Sequence, residues 1–147
     1  MITINRHLGR AVLLLGLVAL VIGVVFIGQG IAKNTMITEA MQVEQITYGG
    51  AEGIEGVIDT AAEAELMAGV LKEHRMEDYG IYSELGREDP KRATILKAMT
   101  MENSLNIAQM GFGVVTVVIV SGIFMVIMGI AVGSTGIVLY RLSGRAL

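Results

Sequence analysis

Residues 110–140 read MGFGVVTVVIVSGIFMVIMGIAVGSTGIVLY, 31 positions without Asp, Glu, Lys, Arg or His. They belong to a charge-free run of 38 residues, Asn103–Tyr140. A second uncharged run, AVLLLGLVALVIGVVFIGQGIA, covers the 22 residues Ala11–Ala32. Each exceeds the ~18 apolar residues that suggest a bilayer span. In a chain of 147 residues that is 53% hydrophobic and only 17% charged, two such runs exclude a water-soluble globule and a disordered polar chain. As helix, the first run covers about 33 Å, close to the ~30 Å of a hydrocarbon layer. Residues 110–140 would cover about 46 Å, so this helix must tilt or protrude. Protrusion toward the middle of the chain is preferred, because Asn103, Asn106 and Gln109 are still polar there.

Charge placement orients the spans. All 14 acidic residues fall between Glu39 and Glu102. The head, residues 1–10, carries Arg6 and Arg10, and the tail, residues 141–147, carries Arg141 and Arg145, with no acid in either. The section 33–109 holds seven basic residues against 14 acidic ones. Short basic flanks stay in the cytoplasm, whereas a long loop crosses largely regardless of its charge. A cleaved signal peptide is the rival reading of the first run, since Arg6 and Arg10 precede it and Gly30-Ile31-Ala32 fits small-x-small processing. Its apolar stretch is longer than the usual 7–15 residue signal core, so an uncleaved anchor is preferred.

The fold expected is therefore an all-α membrane protein. It comprises an antiparallel two-helix transmembrane hairpin with a small extracytoplasmic helical domain, placed in a bacterial plasma (inner) membrane. The expected organisation is a cytoplasmic tail over 1–10, helices across the bilayer at 11–32 and 110–140, an external domain over 33–109 and a cytoplasmic tail over 141–147. Zero cysteines fit an external domain without disulfides. The acidic middle section should repel nucleic acid and anionic headgroups, so no nucleic-acid partner is expected.

Local signals divide the middle section. Lys33 to about Gln45 can continue the first helix, with Ile37, Met41 and Glu44 at helical spacing. Ile46-Thr47-Tyr48 meets Gly49-Gly50, and Gly53 and Gly56 follow, which reads as a turn or short extended excursion. Thr60-Ala61-Ala62-Glu63 has the form of a capping box, with Asp59 before it. Leu66, Met67, Val70, Leu71 and His74 then mark one face of a helix ending near Met76. Tyr79-Gly80-Ile81-Tyr82 gathers aromatic residues outside the spans, and Asp89-Pro90 opens a helix with an acidic cap and proline at its first position. Nothing breaks that helix before the second span, so the two should be continuous.

Chemistry-bearing patterns are few. No ionisable residue lies at bilayer depth, which counts against proton relays, ion-coupled transport and voltage sensing. Gln29 and Gln109 are the polar side chains able to hydrogen-bond near the outer ends of the spans, or simply to meet water. His74 with Glu73, Glu77 and Asp78 offers at most part of a metal site, because a zinc site needs three or four protein ligands. No Gly-x-Ser-x-Gly turn, cysteine nucleophile or phosphate loop occurs, so no enzyme and no cofactor are expected. The ten methionines are dispersed and read as core filling.

Glycine spacing does stand out. Gly9, Gly16, Gly23 and Gly30 recur every seven residues, as do Gly122, Gly129 and Gly136, and Gly133 completes a Gly-x-x-x-Gly with Gly129. Seven-residue spacing keeps one side of a helix on the seam of a left-handed pair, and missing side chains allow close backbone approach. For helices running in opposite directions, Gly9 with Gly136, Gly16 with Gly129 and Gly23 with Gly122 each total 145, which sets an expected register. The Gly129/Gly133 face could instead serve a second copy or another protein.

Through Tyr82-Ser83-Glu84-Leu85, Asp89-Pro90-Lys91-Arg92 and Glu102-Asn103-Ser104-Leu105-Asn106-Ile107-Ala108, the chain resembles uncharacterised bacterial two-span membrane proteins, in which a similar stretch leads into the final span. The resemblance implies the topology and no activity. The function expected is non-enzymatic, acting through protein contacts as an accessory subunit or oligomeric component, with the lipid bilayer and a second copy or another membrane protein as partners. The short tails hold no output domain, so a ligand sensor would have to signal sideways to a membrane partner. An oligomeric, holin-like pore would be lined by Thr116, Ser121, Ser134 and Thr135, and a metal-dependent enzyme would place its site near His74.

Overall fold

The computed structural model describes residues 2–45 and 56–145. These form three α-helices, α1 (Ile2–Glu44), α2 (Ala61–Tyr79) and α3 (Lys91–Arg145), with a 3-10 turn at Tyr82–Glu84 and no strand among the described residues. The fold is all-helical, and α1 and α3 are each long and apolar enough to cross a membrane. The stretch Ile46-Thr47-Tyr48-Gly49-Gly50, with Gly53, lies outside the described residues.

Each helix boundary has a local cause. The chain's single proline precedes α3. Asp89 accepts the Lys91 N–H at 2.9 Å, capping the helix where the sequence places its start. No proline follows, and α3 then runs unbroken for 55 residues. α1 continues past its uncharged run to Glu44 and stops at Gln45, whose φ of 46° is left-handed and whose N–H reaches the Gln42 carbonyl at 3.2 Å. The sequence places the stop here, although the left-handed residue is not the glycine that such a stop normally uses. α2 opens with the expected box. Thr60 accepts the Glu63 N–H at 3.3 Å, while the Glu63 carboxylate accepts from the N–H groups of Thr60 and Asp59, both at 3.1 Å. It ends three residues later than the sequence suggests, where Gly80 at φ 74° donates to the Met76 carbonyl at 3.1 Å.

The chain packs into two compact units, Met1–Lys33 with Val115–Leu147 and, separately, Asn34–Val114. In the second unit Met41 of α1, Ala64, Met67 and Ala68 of α2, and Leu105 and Phe112 of α3 enclose Ile58, which is wholly buried. Ile37, Ala61, Leu71, Met101 and Ala108 line this core. The buried face of α2 thus steps through Ala64, Met67, Ala68 and Leu71, not through Leu66 and His74 as the larger side chains suggested. Leu66 is 53% exposed and His74 is exposed too. Two alanines on the inner face let α2 lie close to its neighbours, and a reading weighted to bulky side chains misses them.

Polar links fasten this core. Asp59, just ahead of α2, accepts from the Gln42 amide at 2.8 Å and, through its main-chain carbonyl, from the Thr38 hydroxyl at 3.4 Å, tying the start of α2 to α1. The Arg75 guanidinium of α2 donates Nε and Nη2 to Glu102 Oε2 of α3, at 3.3 and 3.2 Å. Arg92 lies over the Tyr82 ring at 4.1 Å and donates to the Leu85 carbonyl at 2.9 Å, which pins the connector to the start of α3.

The Asp59 N–H, the Thr60 side chain and the Thr60 N–H hold the Glu63 carboxyl below its usual 4.5. A carboxylate whose pKa is depressed on folding adds stability above its unfolded value and loses that contribution as pH falls through the folded one. Glu63→Gln should therefore lower the melting temperature of the detergent-solubilised chain at pH 7, with the gap from wild type closing as the melts are repeated toward pH 3. Thr60→Ala should cost about 1 kcal/mol in the same assay at pH 7.

Candidate functional site

Within the unit Met1–Lys33 with Val115–Leu147, the inner faces of α1 and α3 are built from glycine. Gly9, Gly16, Gly23 and Gly30 are the buried positions of α1 here, and α3 buries Val115, Gly122, Gly129, Gly136 and Ser143. Partly buried residues alternate with them at steps of four and three, Leu13, Leu20 and Ile27 on α1 and Ile119, Val126 and Gly133 on α3. That alternation is the seam pattern of left-handed helix pairs. Chain direction is opposite in the two helices, since Gly9 meets Tyr140, Gly23 meets Val126 and Gly30 meets Ile119.

Contacts across the seam follow two neighbouring registers, one helical turn apart. One set pairs Gly9 with Tyr140, Gly16 with Gly133, Gly23 with Val126, Leu13 with Gly136, Leu20 with Gly129 and Ile27 with Gly122, and each of these pairs totals 149. The other set is the expected one that totals 145. Each glycine thus sits between two successive turns of the facing helix, as a knob sits in a hole. Side chains stand against Gly23, Gly30 and Gly122, from Val126, Ile119 and Ile27, whereas Gly9, Gly16 and Gly129 meet main-chain atoms.

The 145 pairs survive as carbonyl contacts in two of the three cases. A Cβ built on Gly23 would stand 2.7 Å from the Gly122 oxygen, and one on Gly122 would stand 2.8 Å from the Gly23 oxygen. Gly16 and Gly129 face each other's oxygens in the same reciprocal way, both at 2.8 Å. The hydrogen that replaces Cβ is therefore aimed at a facing carbonyl, the geometry of the weak Cα–H···O contacts found where helices approach closely. Gly9 and Gly136 form no such pair, as their nearest atoms belong to Tyr140 and Leu139 and to Leu13, respectively.

Large apolar side chains turn the other way. Leu15 is 65% exposed, Val117 65% and Phe124 62%. In the most apolar window of each long helix only 11% and 17% is buried, whereas the core helix of a soluble protein is mostly buried. An apolar groove of about 330 Å³ follows the crossing between Leu13, Leu17, Gly129, Gly133 and Ile137. Gly129 is committed to α1, with Leu20 N 2.7 Å from its Cβ position, while Gly133 has only the Gly16 Cα, at 4.0 Å.

The remaining candidates are not assembled into one place. Gln29 is exposed on α1 in one unit, and Gln109 is half-buried on α3 in the other. Ser134 and Thr135 return their hydroxyls to the Ile130 and Ala131 carbonyls of their own helix, at 2.7 and 3.0 Å. In the unit Asn34–Val114, an open groove of about 390 Å³ runs beside the Arg75–Glu102 pair, past Met99, Asn103 and Asn106. Among the described residues, no three or more His, Cys, Asp or Glu side chains gather into a group able to hold a metal ion, at His74 or elsewhere. Sequence reading passed over Arg75 with Glu102, because two charges 27 positions apart on separate helices carry no local signature.

Comparison with known protein families, curated proteins and solved structures gives no match for this chain.

At Gly16 the seam leaves no room for a methyl group. A Cβ on Gly16 would lie 2.6 Å from the Gly133 Cα and 2.8 Å from the Gly129 oxygen, all backbone, whereas one on Gly28 meets nothing within 4 Å. Gly28→Ala should be neutral or stabilising by up to about 1 kcal/mol, through helix propensity alone. Gly16→Ala gains the same propensity yet should unfold at a clearly lower denaturant concentration. Titration of the detergent-solubilised protein with dodecyl sulfate, followed by helical circular dichroism, compares the two.

Proposed function

We propose that this chain is an integral protein of a bacterial plasma membrane, in which α1 and α3 form an antiparallel transmembrane hairpin with both termini in the cytoplasm. The acidic section between the spans then makes a small extracytoplasmic helical domain. In this reading the protein is not an enzyme. It acts through contacts with other membrane proteins or copies of itself, as an accessory subunit or oligomeric component.

The observation that carries the reading is the inversion of the two-helix unit. Glycines occupy its inner face while leucine, valine, isoleucine and phenylalanine face outward. In water this would expose apolar side chains along nearly the whole of both helices, at ~25 cal/mol for each Å². In lipid the outward side chains carry no such cost, and close backbone packing supplies the association that the hydrophobic effect no longer provides. Orientation rests on the arginines of both ends and on the confinement of every acid to residues 39–102. A role in contacts is supported by the uncharged span interiors, which supply no proton or ion relay.

The chain has no cysteine, so single-cysteine variants report topology without background. Glu88→Cys, at an exposed position between α2 and α3, should react with a membrane-impermeant maleimide in intact spheroplasts, and His7→Cys only after permeabilisation. The opposite pattern would overturn the orientation. A mature polypeptide beginning at Lys33 would overturn the hairpin.

A further inference from the structure

We infer that the end of the two-helix unit bearing Arg10, Tyr140 and Arg141 binds the phosphate of an anionic phospholipid headgroup, an inference that rests on the membrane reading above. Charge is divided by unit. The residues Met1–Lys33 and Val115–Leu147 include Arg6, Arg10, Lys33, Arg141 and Arg145 and not one acid, while all 14 acids belong to the other unit. Among the described residues neither Arg10 nor Arg141 is paired with a carboxylate, as Arg75 is with Glu102.

The packing brings these two arginines to the same end of the unit. A Cβ on Gly9 would sit 2.9 Å from the Tyr140 nitrogen, and Arg10 and Arg141, one step on in helices of opposite direction, stand within about 3 Å of one another in height along the helices. Both are exposed. The Arg10 guanidinium lies over the Tyr140 ring, 5.7 Å from its centre. A guanidinium held against an aromatic face keeps its N–H edge free, and that edge fits a phosphate with two parallel bonds. Ser143 is buried and donates to the Tyr140 carbonyl at 2.8 Å, which fixes the turn that carries the ring.

Depth selects a lipid rather than a free anion. Arg10 and Lys33 bracket the uncharged run of α1 and stand about 35 Å apart along the helix, which sets Arg10 at one face of a ~30 Å hydrocarbon layer. Tyrosine is at home at that level, where its ring meets acyl chains and its hydroxyl meets water. Two like charges at one level, without an acid to offset them, are relieved by the negative phosphodiester of the cytoplasmic leaflet.

The test uses the full chain purified in maltoside detergent, titrated with phosphatidylglycerol, phosphatidylcholine or inorganic phosphate, with bound lipid counted by native mass spectrometry. Phosphatidylglycerol should be retained over phosphatidylcholine by about fivefold for each arginine. The preference should fall to near unity in Arg10→Gln/Arg141→Gln and be kept in part in Arg10→Lys/Arg141→Lys, which retains the charge but loses the two-bond edge, while the helical circular dichroism of both variants stays that of the wild type. Equal retention of the two lipids by the wild type, or displacement of phosphatidylglycerol by millimolar inorganic phosphate, overturns the inference. Alkaline carbonate extraction of cell membranes is run in parallel. A protein that stays with the membrane but shows no lipid preference defeats this inference alone, and one released into the supernatant defeats the membrane reading and this inference with it.

Discussion

The two long apolar helices come together through the direct meeting of backbones, not through large apolar side chains buried between them. At Gly16, Gly23, Gly122 and Gly129 a methyl group would collide with main-chain atoms of the facing helix, at separations of 2.8 Å and below. Glycine ordinarily weakens a helix interior. In this unit it allows dispersion contacts and reciprocal Cα–H···O contacts along the seam. The steps of four and three that place these glycines also place Ile27, Ile119 and Val126, whose side chains stand against Gly122, Gly30 and Gly23.

In the other unit the same helices change the residues at the same steps. On α3 the inward series reads Met101, Leu105, Ala108, Phe112, Val115 before it turns to Ile119 and the glycines. On α1 the glycine position becomes Ile37 and the alternate one Met41. Large residues point inward in the unit Asn34–Val114, and small ones point inward in the unit of the two apolar runs. Charge follows the same division, with every acid confined to the first of these. Polar contacts local to the unit Asn34–Val114 join its elements, namely Asp59 with Gln42 and Thr38, Arg75 with Glu102, and Arg92 with Tyr82 and Leu85.

Much of this was legible in the chain because it depends on local rules. The capping box at Thr60, the helix start at Asp89-Pro90 and the unbroken run from there to Arg145 follow from short-range hydrogen bonding and from the absence of a second proline. The seven-residue glycine spacing announced a seam, and the distribution of arginine and acid announced an orientation to propose. The inner face of α2 was misjudged, because Ala64 and Ala68 are chosen by closeness of approach and not by size. The stop of α1 near Gln45 was legible, but not its left-handed backbone, which nothing in the Gln45 side chain demands.

Sequence by itself determined which residues are helical, which runs are apolar enough to sit in lipid, and which side of each long helix is smooth. Those properties are carried by residues a few positions apart, and the chain cannot alter them by folding. Tertiary structure alone decided how contacts totalling 145 and 149 share the seam, which atoms stand against each glycine, and the meeting of Arg75 with Glu102. A one-turn slide preserves the seven-residue spacing on both helices, so the spacing does not say how a glycine sits between successive turns of its partner. That is a property of the two surfaces together.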